Sequence, residues 1–298
     1  MKIGIDQFSY HRYFGEVTRW EVDPGVRWTV NDFINRAQSL QVEAVSFQTH
    51  FISPSQLKDI SQECSRFNLV WIVEWGHPDG LKMGTSSVAV ADLVRWLHAT
   101  SELGGSLVRI VAGYPTYRGR EPVTAQMKRL VPILQQVCQT AADLGIVLAV
   151  ENHADFTPLE LVELIEEVGA SNLRATFDTG NCVRLEADLV HSARRIAPLT
   201  EIVHLKDLWI LEDSRGNPTA SWPTAPLGHG MLDIPGVLRA LWSEGFNGYL
   251  LIEMAHMHSL WPDEDKAVAD SILWLKKHLR AYDSDLLLSP VPKGPTPS

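Results

Sequence analysis

Four side chains able to bind a cation, Glu151, Asp178, His204 and Glu253, each close a short apolar, β-prone run, in AVEN, FDTGN, HLKD and LIEM. Three carboxylates and one imidazole offer mainly oxygen donors with a single nitrogen, a set suited to Mn2+, Mg2+ or Co2+ and tolerant of Zn2+. Mn2+ is the first choice. Burying three carboxylates together without a cation would be prohibitively repulsive, whereas a divalent ion leaves about one net negative charge. A lone strand-end carboxylate often only caps a helix or meets a surface cation, but that account strains when four successive runs end in such a group. The residues are 27, 26 and 49 positions apart in turn, so no linear motif joins them and a fold must.

The elements able to do so are legible. Short apolar runs at 2–5, 44–47, 69–74, 107–111, 147–151, 175–178, 202–206 and 249–253 read as eight strands. Between them lie amphipathic stretches such as VNDFINRAQSL, VADLVRWLHATSEL, VPILQQVCQTAADLG and ADSILWLKKHLRAY, with apolar residues every three to four positions. Gly104 with Gly105, Gly145, Gly169 and Gly245 stand where helices should stop. The alternation predicts an α/β fold, a single (β/α)8 TIM barrel over residues 1–283, whose parallel strands bring their C-terminal ends to one rim. The tail 284–298, rich in proline, is expected to be extended. Two strand-following stretches are longer than a barrel needs: 6–28, with Phe8, Tyr10, His11, Tyr13, Phe14, Trp20 and Trp28, and 208–233, with Trp209, Trp222 and a GHG turn. The first could be a lid over a substrate, a subunit contact or a minor core, with a slight preference for the lid.

Composition narrows the functions. The chain has 298 residues and a formal charge of −10, without a lysine or arginine run, which disfavours nucleic acid. Its cysteines, Cys64, Cys138 and Cys182, form no CxxC pair and fit a reducing compartment. The N-terminal MKIGIDQFSY reads as a strand rather than a secretory signal, and no apolar run reaches the length of a membrane span. The expected location is cytoplasmic.

ENH, FDTGN, HLKD, GHGMLD and LIE, in this order and spacing, resemble the xylose-isomerase-like barrel superfamily of sugar isomerases, epimerases and dehydratases. The resemblance spans nearly the whole chain, is strongest from Val147 to Glu253 and is weak before Leu69. It is similar to the tagatose 3-epimerase group, whose Glu, Asp, His, Glu metal set maps onto Glu151, Asp178, His204 and Glu253. That implies Glu151 and Glu253 also serve as an acid/base pair: once a cation draws charge from a carbonyl and its neighbouring hydroxyl, the C–H between them becomes acidic and an enediolate can form. Two positions depart from the group: Asn181 stands where a histidine is common, and Lys206 with Asp207 follows the strand-seven histidine where an arginine slightly farther along reaches the substrate. Candidate substrate contacts are Phe8, His50, Glu74, His77, His153, Asn181, Lys206 and His229. Lys206 could equally be paired with Asp207 or another carboxylate, Arg109 reads as a buried ion-pair member, and His256 and His258 could add to the rim.

The expected activity is isomerisation or epimerisation of an unphosphorylated sugar or polyol derivative, since no glycine-rich cradle or arginine cluster suggests a phosphosugar. The runner-up is a lyase acting on a keto-sugar or keto-inositol through the same enolate. A nuclease of the DNA-repair type is disfavoured by Asn181 and the acidic charge, and a barrel that merely binds metal by the intact Glu151 and Glu253 pair. The resemblance also implies a homo-oligomer.

Overall fold

The computed structural model describes residues 1–18, 21–210, 222–258 and 260–286. Trp20, residues 211–221 of the second long stretch and the SPVPKGPTPS tail therefore lie outside the described residues.

Eight parallel strands close into a barrel: β1 (Lys2–Asp6), β2 (Ala44–Gln48), β3 (Val70–Glu74), β4 (Leu107–Val111), β5 (Val147–Glu151), β6 (Leu173–Asp178), β7 (Thr200–Leu205) and β10 (Tyr249–Ile252). The order around it is β1, β10, β7, β6, β5, β4, β3, β2. Between β7 and β10, Asp207–Leu208 (β8) and Thr224–Ala225 (β9) make a two-residue antiparallel ladder. The expected (β/α)8 barrel is the fold observed. Short strands rich in Val, Ile and Leu fit it because they are covered on both faces, by the barrel interior and by helices.

The interior is layered. Ala44, Ile72, Leu107, Ala149, Ile202 and Leu251 form an apolar cluster within the barrel. Gly4 of β1 completes that layer, since a Cβ there would lie 2.5 Å from the Leu251 side chain and 2.7 Å from the Ala44 carbonyl oxygen. Toward the C-terminal ends the buried side chains turn polar: Asp6, Ser46, Gln48, Glu74, Arg109, Glu151, Asp178 and His204.

Outside run α1 (Val30–Ser39), α2 (Leu57–Arg66), α3 (Ser87–Glu102), α4 (Val123–Asp143), α5 (Pro158–Val168), α6 (Thr179–Arg184), α7 (Leu189–Ile196), α8 (Ile234–Ser243) and α9 (Glu264–Leu286). Local sequence marks their ends. Thr29 and Asp32 form a capping box on α1, Thr157 and Glu160 one on α5, and Gly169 ends α5 at φ +68°. α9 runs past the boundary expected at 283, because no proline interrupts the chain before Pro290. No described helix is long and apolar enough to cross a membrane.

Within 6–28 the rings of Tyr10, Tyr13, Phe14 and Trp28 pack on the core, while residues such as Val22 and Val26 are exposed. Tyr10 is fully buried, its ring 4.6 Å from Trp28 and 5.9 Å from Phe33 of α1, and among the described aromatic residues expected in a lid Phe8 lines the cavity described below.

Candidate metal and substrate site

Parallel strands bring β5, β6, β7 and β10 side by side, and with them the four widely spaced residues. Glu253 Oε2, Glu151 Oε2 and Asp178 Oδ2 lie 2.8, 3.6 and 3.9 Å from His204 Nδ1. Donors around one divalent ion bound at about 2.0–2.2 Å sit roughly 3–3.5 Å apart; Glu151, Asp178 and His204 offer atoms within 4.8 Å of one another and need only modest shifts to share one, whereas Glu253 has farther to turn.

Each carboxylate fixes one oxygen on a neighbouring donor and turns the other toward the cluster. Asp178 Oδ1 accepts the Asn181 N–H that caps α6, at 2.8 Å. Glu151 Oε1 accepts from Asn181 Nδ2 at 3.0 Å. Glu253 Oε1 meets Lys206 Nζ at 2.8 Å. The remaining Glu151 Oε2, Asp178 Oδ2 and Glu253 Oε2, with His204 Nδ1, are buried and make no well-aligned hydrogen bond, although Arg109 stands 3.0 Å from Glu151 Oε2 and Lys206 2.8 Å from Asp178 Oδ2. Buried polar atoms are rarely left so, and here one comes from each member of the set. The donor set fits a divalent cation.

The layer beneath orients it. His204 Nε2 lies 2.9 Å from Glu74 Oε1. Burial opposes ionisation of Glu74, but Arg109 and His204 outweigh it and hold the carboxyl well below its usual range. Glu74 is therefore the acceptor and Nε2 carries a proton. Burial opposes a charge on His204, but Glu74, Glu253 and Glu151 outweigh it and raise the ring well above its usual value, so Nδ1 also holds a proton toward Glu253, where a bound cation would take that proton's place. Asp6 is raised well above its usual value by burial and by Glu74 and Glu253. It accepts from Ser46 Oγ at 2.6 Å and from Gln48 Nε2. Arg109 reaches Glu74 Oε2 at 2.7 Å and Glu151 Oε2 at 3.0 Å, as the buried ion pair its mid-strand position suggests.

Charge is distributed unevenly. Burial, augmented by Asp178 and Glu253 and opposed by Arg109 and His204, pushes Glu151 up to about 7. Glu253 is also buried, but Lys206 and His204 bring it below its usual range. Lys206 is buried as well and is nonetheless raised by Asp178 and Glu253.

A cavity of about 360 Å³ opens above this layer, walled by Phe8, Gln48, His50, His77, Tyr114 and His153, and reached from below by Arg109 and Glu253. Phe8, His50, His77 and His153, expected among substrate contacts, thus share one space. His153 is held down to about 3, and so neutral, by burial and by Arg109 and Lys206. Three expectations change. Glu74 is fully buried and faces His204 and Arg109, not the cavity. Asn181 spends its amide on Glu151. His229 is exposed on a turn, 6.0 Å from the Trp261 ring and away from the cavity. That turn is fixed by Asp207, whose carboxylate accepts from the backbone of Gly228, Gly230 and Leu232. Asp207 is thus not the partner of Lys206, which bridges Asp178 Oδ2 and Glu253 Oε1 at 2.8 Å each. Sequence reasoning passed over Asp6 and Gln48, although both stand at strand ends, the signal that found the other four.

The profile of a family described as xylose isomerase-like TIM barrel matches residues 30–278. The chain belongs to that family. Within the xylose isomerase-like barrels, a 2-epi-5-epi-valiolone 7-phosphate 2-epimerase of Actinoplanes sp. is 32% identical over 162 residues, covering 53% of this chain and 54% of that protein. An uncharacterized protein of Methanocaldococcus jannaschii is 23% identical over 71% of this chain and 73% of its own length. Among solved structures, an L-ribulose 3-epimerase superimposes with a TM-score of 0.74 at 18% identity, over 98% of this chain and 99% of that one. The zinc-bound IolI protein gives 0.75 at 13% identity, over 95% and 99%. At these identities the structural likeness establishes the shared fold.

Proposed function

We propose that this chain is a divalent-metal-dependent isomerase or epimerase of a sugar or polyol derivative, with Glu151, Asp178, His204 and Glu253 holding the ion and Mn2+ as its first choice. The observation that carries the reading is the set of four buried donor atoms, none with a well-aligned hydrogen bond, gathered at His204 Nδ1, one from each of these residues. Their position at the base of a cavity of sugar size supports it, as does the similarity to sugar epimerases. A divalent cation there supplies Lewis acidity toward a substrate carbonyl and its neighbouring hydroxyl, acidifying the C–H between them.

The chain's own groups do the rest. Glu253, ionised and reaching the cavity, is the base that removes the proton. Glu151, raised to about 7 and fixed by Asn181, starts protonated and gives its own proton, on the other face for epimerisation or at the adjacent carbon for isomerisation, after which exchange with water returns Glu253 to its ionised and Glu151 to its protonated form. The Lys206 ammonium, buried beside both Asp178 and Glu253, steadies negative charge as it develops on a substrate oxygen. The Phe8 ring offers an apolar face to the sugar, and His50, His77 and neutral His153 offer polar contacts to its hydroxyls.

Incubating Mn2+-loaded protein with ketoses, keto-inositols and 3-keto-glycosides in D2O tests this. Deuterium should enter recovered sugar. An unsaturated product would move the assignment to a lyase working through the same first step, and no exchange with any compound would end the proposal. Glu151→Gln and Glu253→Gln should each abolish exchange; full activity in either would refute the assigned roles.

A further inference from the structure

Buried cations elsewhere among the described residues each meet a carboxylate: Arg12 meets Glu264, Arg109 meets Glu74 and Glu151, and Lys206 meets Asp178 and Glu253. Arg184, the last residue of α6, differs. Its Nε is buried and makes no hydrogen bond, and no ion pair engages its guanidinium among the described residues. Its side chain lines a second opening of about 380 Å³, shared with Asp79, Thr116 and Tyr117. Pro78 and Tyr114 form a common wall between this opening and the substrate cavity.

Leaving a guanidinium unpaired in a partly buried site is costly, and more so in a chain whose formal charge of −10 supplies carboxylates in excess. The acid nearest at hand in the opening is already engaged: Asp79 accepts from Tyr117 Oη at 2.8 Å and lies 3.5 Å from Lys82 Nζ. Arg184 is thus open to an anion from outside, with five fixed donors in a fork that matches a carboxylate or a phosphate. The guanidinium also belongs electrically to the reaction centre. Burial lowers its affinity for its proton, Asp178 and Glu253 partly offset that, and Arg184 in turn helps to keep His153 neutral.

We infer that Arg184 forms an anion subsite beside the substrate cavity, so that the sugar derivative turned over here carries a carboxylate or phosphate at the end remote from its reacting carbon. This rests on the proposed function for where the reacting end lies. It sharpens the expectation of an unphosphorylated sugar, which a sugar acid satisfies and a sugar phosphate does not.

The test is a binding measurement, so it stands apart from turnover. Full-length protein, metal-free and Mn2+-loaded, is titrated by calorimetry with D-fructose, D-fructuronate and D-fructose 6-phosphate, three ketoses alike from C1 to C5. A charged hydrogen-bonded pair should make at least one anionic compound bind about 10-fold or more tighter than D-fructose. Preference for the uronate assigns a carboxylate and preference for the phosphate a phosphoryl group. The metal-free titration keeps a phosphate–Mn2+ contact from being mistaken for the subsite. Arg184→Met should erase the preference while leaving D-fructose binding within about 2-fold, Arg184→Lys should keep part of it, and the melting temperature of Arg184→Met should hold or rise. Equal binding of charged and neutral compounds, no binding of the charged ones, or a preference that survives Arg184→Met overturns the inference. So does a melting temperature that falls by several degrees with affinities unchanged, which marks a structural role. Anion preference without deuterium exchange on any sugar would retain the subsite and remove the proposed chemistry.

Discussion

Glu74 never reaches the cavity, yet its replacement by glutamine should weaken metal binding more than most changes in the cavity wall. The carboxylate accepts from His204 Nε2 at 2.9 Å and pairs with Arg109 at 2.7 Å, and both contacts depend on its being an ionised acceptor. Glutamine keeps the shape but turns one end into a donor. If the carbonyl stays on His204, the amide N–H₂ faces Arg109. If it faces Arg109, the amide meets the His204 N–H, and the imidazole is pushed to carry its proton on Nδ1, the atom the cation needs. Changing such a supporting partner typically costs about 10- to 100-fold in metal affinity, roughly 1.4–2.7 kcal/mol. Mn2+ present at 100 times the wild-type dissociation constant should stabilise the wild type by about 2.7 kcal/mol; the same concentration should stabilise Glu74→Gln by only about 0.4–1.4 kcal/mol. Calorimetric titration of Mn2+ gives the affinity, denaturant midpoints with and without Mn2+ give the stabilisation, and circular dichroism confirms that the variant is folded. A folded Glu74→Gln protein that binds Mn2+ as tightly as the wild type would refute the orienting role and the tautomer assigned to His204.

Two further expectations concern groups away from the cation cluster. Burial pushes the Asp155 carboxyl from 3.8 up to about 6, although backbone N–H groups of Phe156, Gly113 and His153 donate to it. Because the folded state holds this proton more tightly than the unfolded chain, the associated stability is complete below about pH 4 and is lost as pH rises through 6. The stability difference between wild type and Asp155→Asn should fall by about 2 kcal/mol from pH 4 to pH 7, and a flat difference would show that the carboxyl titrates normally. Burial also pushes the thiols of Cys64, Cys138 and Cys182 up to about 12. An aromatic disulfide reagent at pH 8 should find no reactive thiol in the native protein and three after unfolding; a native thiol reacting at the rate of a free one would contradict their burial.

The sequence shows the barrel readily because its signal is local and repeated. Each strand is an apolar run bounded by turns and each helix carries its own stop, so the strands at 107–111 and 147–151 match residue for residue and β7 is displaced by at most two positions. The four inward donors are legible for a topological reason: a parallel barrel sends every strand's C-terminal end to the same rim, so the strand ends suffice. What the chain does not announce is direction. Nothing local shows that Glu74 turns beneath His204 rather than toward the cavity. Nor does anything local show that Asp207 spends itself on the backbone of a turn 20 residues on, leaving Lys206 for Asp178 and Glu253. The departure at Asn181 also reads differently in three dimensions: the residue donates to Glu151 and its own backbone caps on Asp178, which ties two of the donors together.

The ammonium of Lys206, wedged between two acidic side chains, has a bearing on how the protein lives in a cell. With that counterion, the guanidinium of Arg109 and the raised His204 in place, the carboxylates of the pocket are largely offset without a metal. On the proposed function, the barrel should therefore fold without its ion, unlike small domains that collapse only around theirs. Under the same reading, loading would exchange one cation for another rather than set a condition for folding.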